Sequence, residues 1–187
     1  MEAAMKHTAL VSAAIAVVCA ALAALGGPGM VLTAAITAGT VFYHMSVRLL
    51  IGCAFDRHMN NRADCTKRWY QPARWEAPLY EKLGVKRWKR RMPTYESGLF
   101  DPSLHSWREI AEAMCQAELV HEACAAASFL PLMFSAWFGA ASVFLLTSLL
   151  AAVYDMMFVA LQRYNRPRVL RLAAQESRRQ ELERSSK

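Results

Sequence analysis

Thr8–Leu25 reads TALVSAAIAVVCAALAAL, eighteen residues without a charge. A helix that crosses the hydrocarbon of a bilayer needs roughly 20 mainly apolar residues. Three further blocks, Met30–Phe55, Val120–Gly139 and Ala140–Leu161, come close to that length or exceed it. Apolar residues make up 55% of the 187-residue chain and gather in these blocks, which are too long for ordinary core helices, so a soluble core is a poor account of it. The predicted fold is all-α, a polytopic membrane protein with four transmembrane helices over residues 8–26, 30–55, 117–138 and 140–162 in a single membrane domain.

Charge assigns the sides. Gly26–Gly29 and the bend near Phe138–Ala141 carry no charge, whereas Asp56–Gln116 holds twelve Lys and Arg and the tail after Leu161 holds eight. The positive-inside rule puts residues 56–116, the tail 163–187 and both termini in the cytoplasm. The result is two helical hairpins joined by a basic amphipathic cytoplasmic segment. The first block also fits a cleaved signal peptide, with Lys6-His7 before it and Ala21-Leu-Ala23 near its end, which would leave three spans. Five cysteines without a C-x-x-C read as buried thiols and not as a zinc site or disulfide frame. Cys115 as a nucleophile would need a local cause of low pKa.

In the central segment, Trp and Tyr alternate with cations: Lys67-Arg-Trp-Tyr, Arg74-Trp, and Lys86-Arg-Trp-Lys-Arg-Arg91. Trp75, Leu79, Leu83 and Trp88 fall near one helical face. Aromatic rings beside cations suit headgroup level on anionic lipid, which favours membrane lipids over nucleic acid as the partner. Pro93 ends this stretch, and Ser106-Trp-Arg-Glu109 matches a capping box that opens the helix leading into the third span. Pro131 is expected to kink that helix.

Ionisable residues inside spans are expensive and face a bundle interior or a wet cavity. Here they are His44 and Arg48 in the second span, Glu118, His121 and Glu122 opening the third, and Asp155 in the fourth. His44, Asp155 and His121 each lie roughly 21–24 Å from the outer end of their helix at about 1.5 Å per residue. Their faces agree as well. Thr33, Thr37, Thr40, His44 and Arg48 form one stripe, His121, Ser128 and Ser135 repeat every seven residues, and so do Ser148, Asp155 and Gln162. Three stripes can converge on one polar cavity. The bland alternative is a set of buried pairs, Arg48–Asp155 and Glu118–His121, that only hold helices in register. Histidines, with a pKa near neutrality, point instead to proton transfer. At the end of the fourth span, Gln162-Arg-Tyr-Asn-Arg-Pro-Arg168 sets arginine forks that match phosphate or carboxylate, and Pro167 is expected to turn the chain.

Ala117-Glu-Leu-Val-His121, the apolar span with Leu130-Pro131, and Gln162–Arg168 together resemble the glycosyl-4,4'-diaponeurosporenoate acyltransferase family, as does the basic segment Tyr80-Glu-Lys-Leu-Gly-Val-Lys-Arg-Trp-Lys89. The resemblance covers about Trp75 to Leu172, with Glu122 standing where the family pattern carries an aromatic residue. It implies small membrane proteins of the bacterial plasma membrane that esterify a sugar hydroxyl of a glycosylated carotenoid with a fatty acyl chain. It makes His121 the candidate general base with Glu118 beside it at i and i+3, and His44, Arg48 and Asp155 the rest of the cavity, Arg48 being the candidate for the oxyanion. Arg163, Tyr164, Asn165, Arg166 and Arg168, with Lys86, Arg87 and Trp88, would bind an acyl-CoA or acyl-carrier-protein thioester. That thioester is the donor substrate, and neither a metal nor another cofactor is implied. Homo-oligomers and complexes with other membrane enzymes both fit the chain. Two other classes stay open, a non-catalytic lipid-binding or scaffold protein and a small proton-coupled transporter.

Overall fold

The computed structural model describes residues 2–92 and 97–186, apart from the side chains of residues 90 and 97. Pro93 lies outside the described residues. Among these described residues seven α-helices form, α1 Glu2–Ala24, α2 Gly29–Met59, α3 Glu76–Lys82, α4 Val85–Trp88, α5 Trp107–Ala127, α6 Ser135–Phe138 and α7 Ala141–Ser185, with short 3-10 turns between them and no strand. Four helical stretches are long and apolar enough to cross a membrane: Glu2–Ala24, Gly29–Met59, Trp107–Phe138 and Ala141–Ser185.

The burial pattern is inverted relative to a protein in water. Leu10, Val17, Val18, Leu145, Leu146, Leu150 and Val153 point outward, while Ser12, Thr40, His44, Glu118, Ser128, Ser148 and Asp155 are buried. Water would reward the reverse arrangement. Hydrocarbon outside and polar groups inside is the arrangement a lipid solvent requires, because lipid cannot satisfy a hydrogen-bonding group.

The chain divides into two compact units, Met1–Ala54 with Val120–Met156, and Phe55–Leu119 with Met157–Lys187. In the first unit, α1 closes with a Schellman turn. Gly27 N–H donates to Leu22 C=O at 3.0 Å and Gly26 N–H to Ala23 C=O at 3.1 Å, with Gly26 at φ +89°. Gly139 and Ala140, at φ +65° and +47°, make the reversal that precedes α7. Pro131 does more than kink its helix. It is buried at the start of a 3-10 turn, Leu130–Phe134, so α5 ends at Ala127 and the seven-residue face of His121 and Ser128 does not carry on to Ser135 as one helical stripe. A proline has no N–H to offer the preceding turn, and the tighter turn absorbs the loss. The threonine stripe is also shorter than expected. Thr33 and Thr37 are exposed and bond back to their own helix, to Gly29 and Thr33 carbonyls, while Thr40 and His44 are buried.

In the second unit, Ser106 and Glu109 close the capping box on α5. Ser106 N–H donates to the Glu109 carboxylate at 2.9 Å and Glu109 N–H donates to Ser106 Oγ at 3.3 Å. The expected single face of Trp75, Leu79, Leu83 and Trp88 is broken by Gly84 at φ +63°, which separates α3 from α4. Trp75, Leu79 and Leu83 remain exposed, and Trp88 turns its indole N–H to the Leu83 carbonyl. Pro167 does not turn the chain, because α7 continues through it to Ser185. A proline inside a helix costs about 3 kcal/mol. The ion pairs of Arg163 and Arg166 hold their backbone in place on the N-terminal side of Pro167, which offsets that cost.

Replacing Gly26 by Ala is expected to lower stability by about 1–2 kcal/mol, the left-handed penalty of an L-residue. Gly27→Ala is expected to lose more, since its Cβ would stand 2.7 Å from the Leu22 carbonyl oxygen. Thermal unfolding in detergent micelles measures both, and wild-type stability in either variant would contradict the turn described.

Candidate functional site

Each unit is built around one fully buried carboxylate. In the first unit it is Asp155 of α7. Arg48 of α2 reaches its Oδ2 through Nη2 and its Oδ1, at 3.3 Å, through Nε, and His121 of α5 places Nδ1 at 3.1 Å from the same Oδ1. The Arg48 fork is further fixed by the backbone, donating to the His44 carbonyl at 2.8 Å and the Ala151 carbonyl at 3.1 Å. Asp155 has no solvent exposure, Arg48 has 10% and His121 has 24%, so the imidazole is the most accessible member. A carboxylate on Nδ1 of a histidine fixes the tautomer and leaves Nε2 as the basic nitrogen. Tyr43, next to His44, donates its hydroxyl to the Ala127 carbonyl at 2.9 Å, tying α2 to the end of α5. His44 packs edge-on against the Tyr43 ring, and neither of its ring nitrogens has a hydrogen-bond partner among the described residues.

In the second unit the carboxylate is Glu118. Arg163 holds one of its oxygens at 2.5 Å and Arg166 holds the other. Arg163 also grips Glu76, at 2.8 and 2.6 Å, and donates to the Trp69 and Gln71 carbonyls. Arg166 donates to the Tyr70 carbonyl and lies over the Tyr70 ring. Two arginines and two glutamates thus balance in a nearly dry cluster. Burial by itself would raise the Glu76 carboxyl, but the Arg163 hydrogen bonds, the Ala73 amide and the Tyr80 hydroxyl outweigh it and hold the group below its ordinary value of 4.5. Tyr70 and Tyr80 are both pushed up to about 12, first by burial and then by the negative groups beside them. Asn61, Gln116 and Asp56 extend the hydrogen bonding, Gln116 accepting from the Asn61 amide at 2.8 Å and donating to Asp56 at 2.7 Å. The Cys115 thiol stands 3.2 Å from that of Cys65, and both are free.

The expected residues therefore separate into two networks. Arg48, His121 and Asp155 meet, with His44 a turn away on α2. Glu118, expected beside His121, spends both oxygens on Arg163 and Arg166. Those two arginines, expected to grip a donor's phosphates, are taken by carboxylates and carbonyls of their own chain. Asn165 accepts from Lys89 at 2.8 Å, and Lys89 also lies over the Tyr164 ring. Arg168, Lys86 and Arg87 are exposed. Glu76 escapes the sequence reading, although it is an acid in a stretch dominated by cations, whereas Ser148 enters that reading only as part of the fourth-span stripe. No group of three or more His, Cys, Asp or Glu among the described residues is arranged to hold a metal.

Removing the Glu118 charge strands the buried Arg166 and leaves Arg163 with Glu76 alone, which costs about 3–5 kcal/mol for a broken buried pair. Glu118→Gln is expected to unfold at much lower denaturant concentration than Arg168→Gln, which removes an exposed charge. The Glu76 carboxyl sits lower in the folded state than in the unfolded one. Its contribution is complete above about pH 4.5 and fades as the pH falls below that. Glu76→Gln should accordingly be less stable than wild type at pH 7, with the gap narrowing as the pH falls below 4.5. A gap that stays constant with pH would contradict the ion pair.

One protein family matches the chain, described as glycosyl-4,4'-diaponeurosporenoate acyltransferase, over residues 66–175. Neither a curated protein nor a solved structure matches. The matched span is well over half of the 187 residues, so the chain belongs to that family.

Proposed function

We propose that this member of an acyltransferase family moves a fatty acyl group from a thioester donor to a hydroxyl of a membrane-embedded glycolipid or glycosylated isoprenoid, at the cytoplasmic face of the bacterial plasma membrane. The observation that carries this reading is the Asp155 carboxylate, fully buried and shared between Arg48 and the partly exposed His121. A histidine oriented by a buried carboxylate is the arrangement that general-base transfer to a hydroxyl needs.

In this reading His121 Nε2 takes the proton of the acceptor hydroxyl as its oxygen attacks the thioester carbonyl. The new C–O bond forms, the C–S bond breaks, and the departing thiolate receives the proton that His121 holds. Asp155, and not Glu118, stabilises the imidazolium. Arg48 already uses four of its N–H groups on Asp155 and the His44 and Ala151 carbonyls. A guanidinium carries five, so one N–H remains for the oxyanion. Arg163 and Arg166, held by Glu118, serve as framework of the second unit. The exposed Lys86, Arg87 and Arg168 are left for the anionic part of the donor. Sidedness of charge supports the cytoplasmic placement, with twelve Lys and Arg over residues 56–116 and none in the two short turns.

Cells that supply a glycosylated isoprenoid and acyl thioesters, and express the chain, are expected to accumulate a lipid heavier by one acyl group. His121→Ala and Asp155→Asn should each lower its formation about 100-fold or more at equal membrane protein, the usual scale of losing a general base. Lipid mass spectrometry reads the product. Wild-type amounts of product in His121→Ala would remove histidine catalysis from the account, and no acylated lipid in the wild type would remove acyl transfer.

A further inference from the structure

The first unit contains a cavity of about 410 Å³ between α1, α2 and the residues Pro131–Phe144. That volume falls in the range of small-molecule sites, roughly 300–1,000 Å³. Its wall is apolar, with Ile36, Gly39, Phe134 and Phe144 among the lining residues. The two hydroxyls in the wall are already committed, Thr40 to the Thr37 carbonyl at 2.8 Å and Tyr43 to the Ala127 carbonyl at 2.9 Å. The cavity therefore offers hydrocarbon to whatever enters it.

The residues one turn beyond this wall are polar. Thr40 of α2 and Phe144 of α7 share the cavity wall, and further along the same two helices Arg48 reaches Ala151 and Asp155. The helices therefore run parallel here, and this pairing puts the residues one turn past Thr40 and Phe144 at about one level, just beyond the cavity's lining. Those residues are His44 and Ser148. His44 is 4% exposed and Ser148 is fully buried, yet both imidazole nitrogens and the serine oxygen lack a partner among the described residues. Buried polar groups are nearly always paired. A neutral imidazole has one donor and one acceptor, and a hydroxyl has both functions.

We propose that the first unit binds a hydroxyl-bearing lipid, with its hydrocarbon chain in the 410 Å³ cavity and its hydroxyl between His44 and Ser148. A hydroxyl can give its proton to one of these residues and accept from the other, which a thioester carbonyl cannot do. The chain could come from the acceptor or from the acyl donor. The need for a group that both gives and accepts selects the acceptor. One turn along α2 from His44, Arg48 holds the Asp155 carboxylate that orients His121, so the bound hydroxyl is delivered towards the base. This step rests on the acyltransferase reading, whereas the binding itself does not.

The test uses the full chain in phospholipid nanodiscs and three photoreactive probes with the same sixteen-carbon diazirine chain: a primary alcohol, its methyl ether, and the acyl-CoA. The alcohol is expected to label peptides containing Thr40, Tyr43 or Phe144 saturably, and the methyl ether at least tenfold less. Ser148→Ala should reduce alcohol labelling about tenfold. Gly39→Leu, where an added Cβ meets no atom within 4 Å, should fill the cavity without strain and shift preference to an eight-carbon alcohol at least tenfold. Equal labelling by alcohol and ether would overturn the proposal, as would labelling by the acyl-CoA alone or indifference to both Ser148→Ala and Gly39→Leu. Hydroxyl-dependent labelling in a chain that acylates nothing would uphold the binding site and sink only the acyltransferase reading.

Discussion

A carboxylate that loses all contact with water must be met by cations and donors, or it will not stay ionised. Asp155 and Glu118 both have no exposed surface, and each is shared by two cationic or potentially cationic side chains. Each fixes the geometry of the unit around it. Asp155 holds α2, α5 and α7 together through Arg48 and His121. Glu118 holds the arginines of α7, and through Arg163 it reaches Glu76 and the carbonyls of Trp69 and Gln71. The apolar surface of the long helices is generic by comparison, since any bilayer-length helix would offer it.

The two centres divide the work of the chain. Around Glu118 the charges balance, all five donors of Arg163 meet a carboxylate or a carbonyl, and Arg166 gives donors to Glu118 and to the Tyr70 carbonyl, so both carboxylates are spent within the chain. The cluster is framework. The two strings that carry the resemblance, Ala117–His121 and Gln162–Arg168, are joined there by the Glu118 ion pairs, so their co-occurrence in one sequence reflects a physical clasp. Around Asp155 the balance is looser. His121 keeps some exposure, Arg48 keeps one N–H, and His44 keeps both ring nitrogens. Unspent hydrogen-bonding capacity in a dry place is what a reacting group can use.

The membrane class, the four apolar helices and the convergence of Arg48, His121 and Asp155 were legible in the sequence, because length, hydropathy and depth follow from the rise of a helix. Partner choice was not. Glu118 lies one turn from His121 on the same helix, and local spacing suggested a pair, but the arginines of α7 approach from elsewhere in the chain and outbid a single imidazole. Pro167 misled for the same reason. Its local preference is to end a helix, and long-range ion pairs on Arg163 and Arg166 override it. Pro131 erred in the other direction, since its neighbours had no such anchor and the helix gave way to a 3-10 turn. Tertiary contacts of high sequence separation decided each case, and a one-dimensional reading has no access to them.

The cavity of the first unit bears on how such a chain can diversify. Of its thirteen lining residues, nine lie between Ala16 and Tyr43, outside the span that the family shares, and four lie within it. The walls that would measure a lipid chain and the clasp around Glu118 are thus written in different parts of the gene. Drift in the first two helices can resize the cavity while the ion pairs that keep the second unit folded go untouched. A handful of substitutions among small residues such as Ala35 and Gly39 would refit the cavity to a different lipid, and the ion pairs around Glu118 need not change.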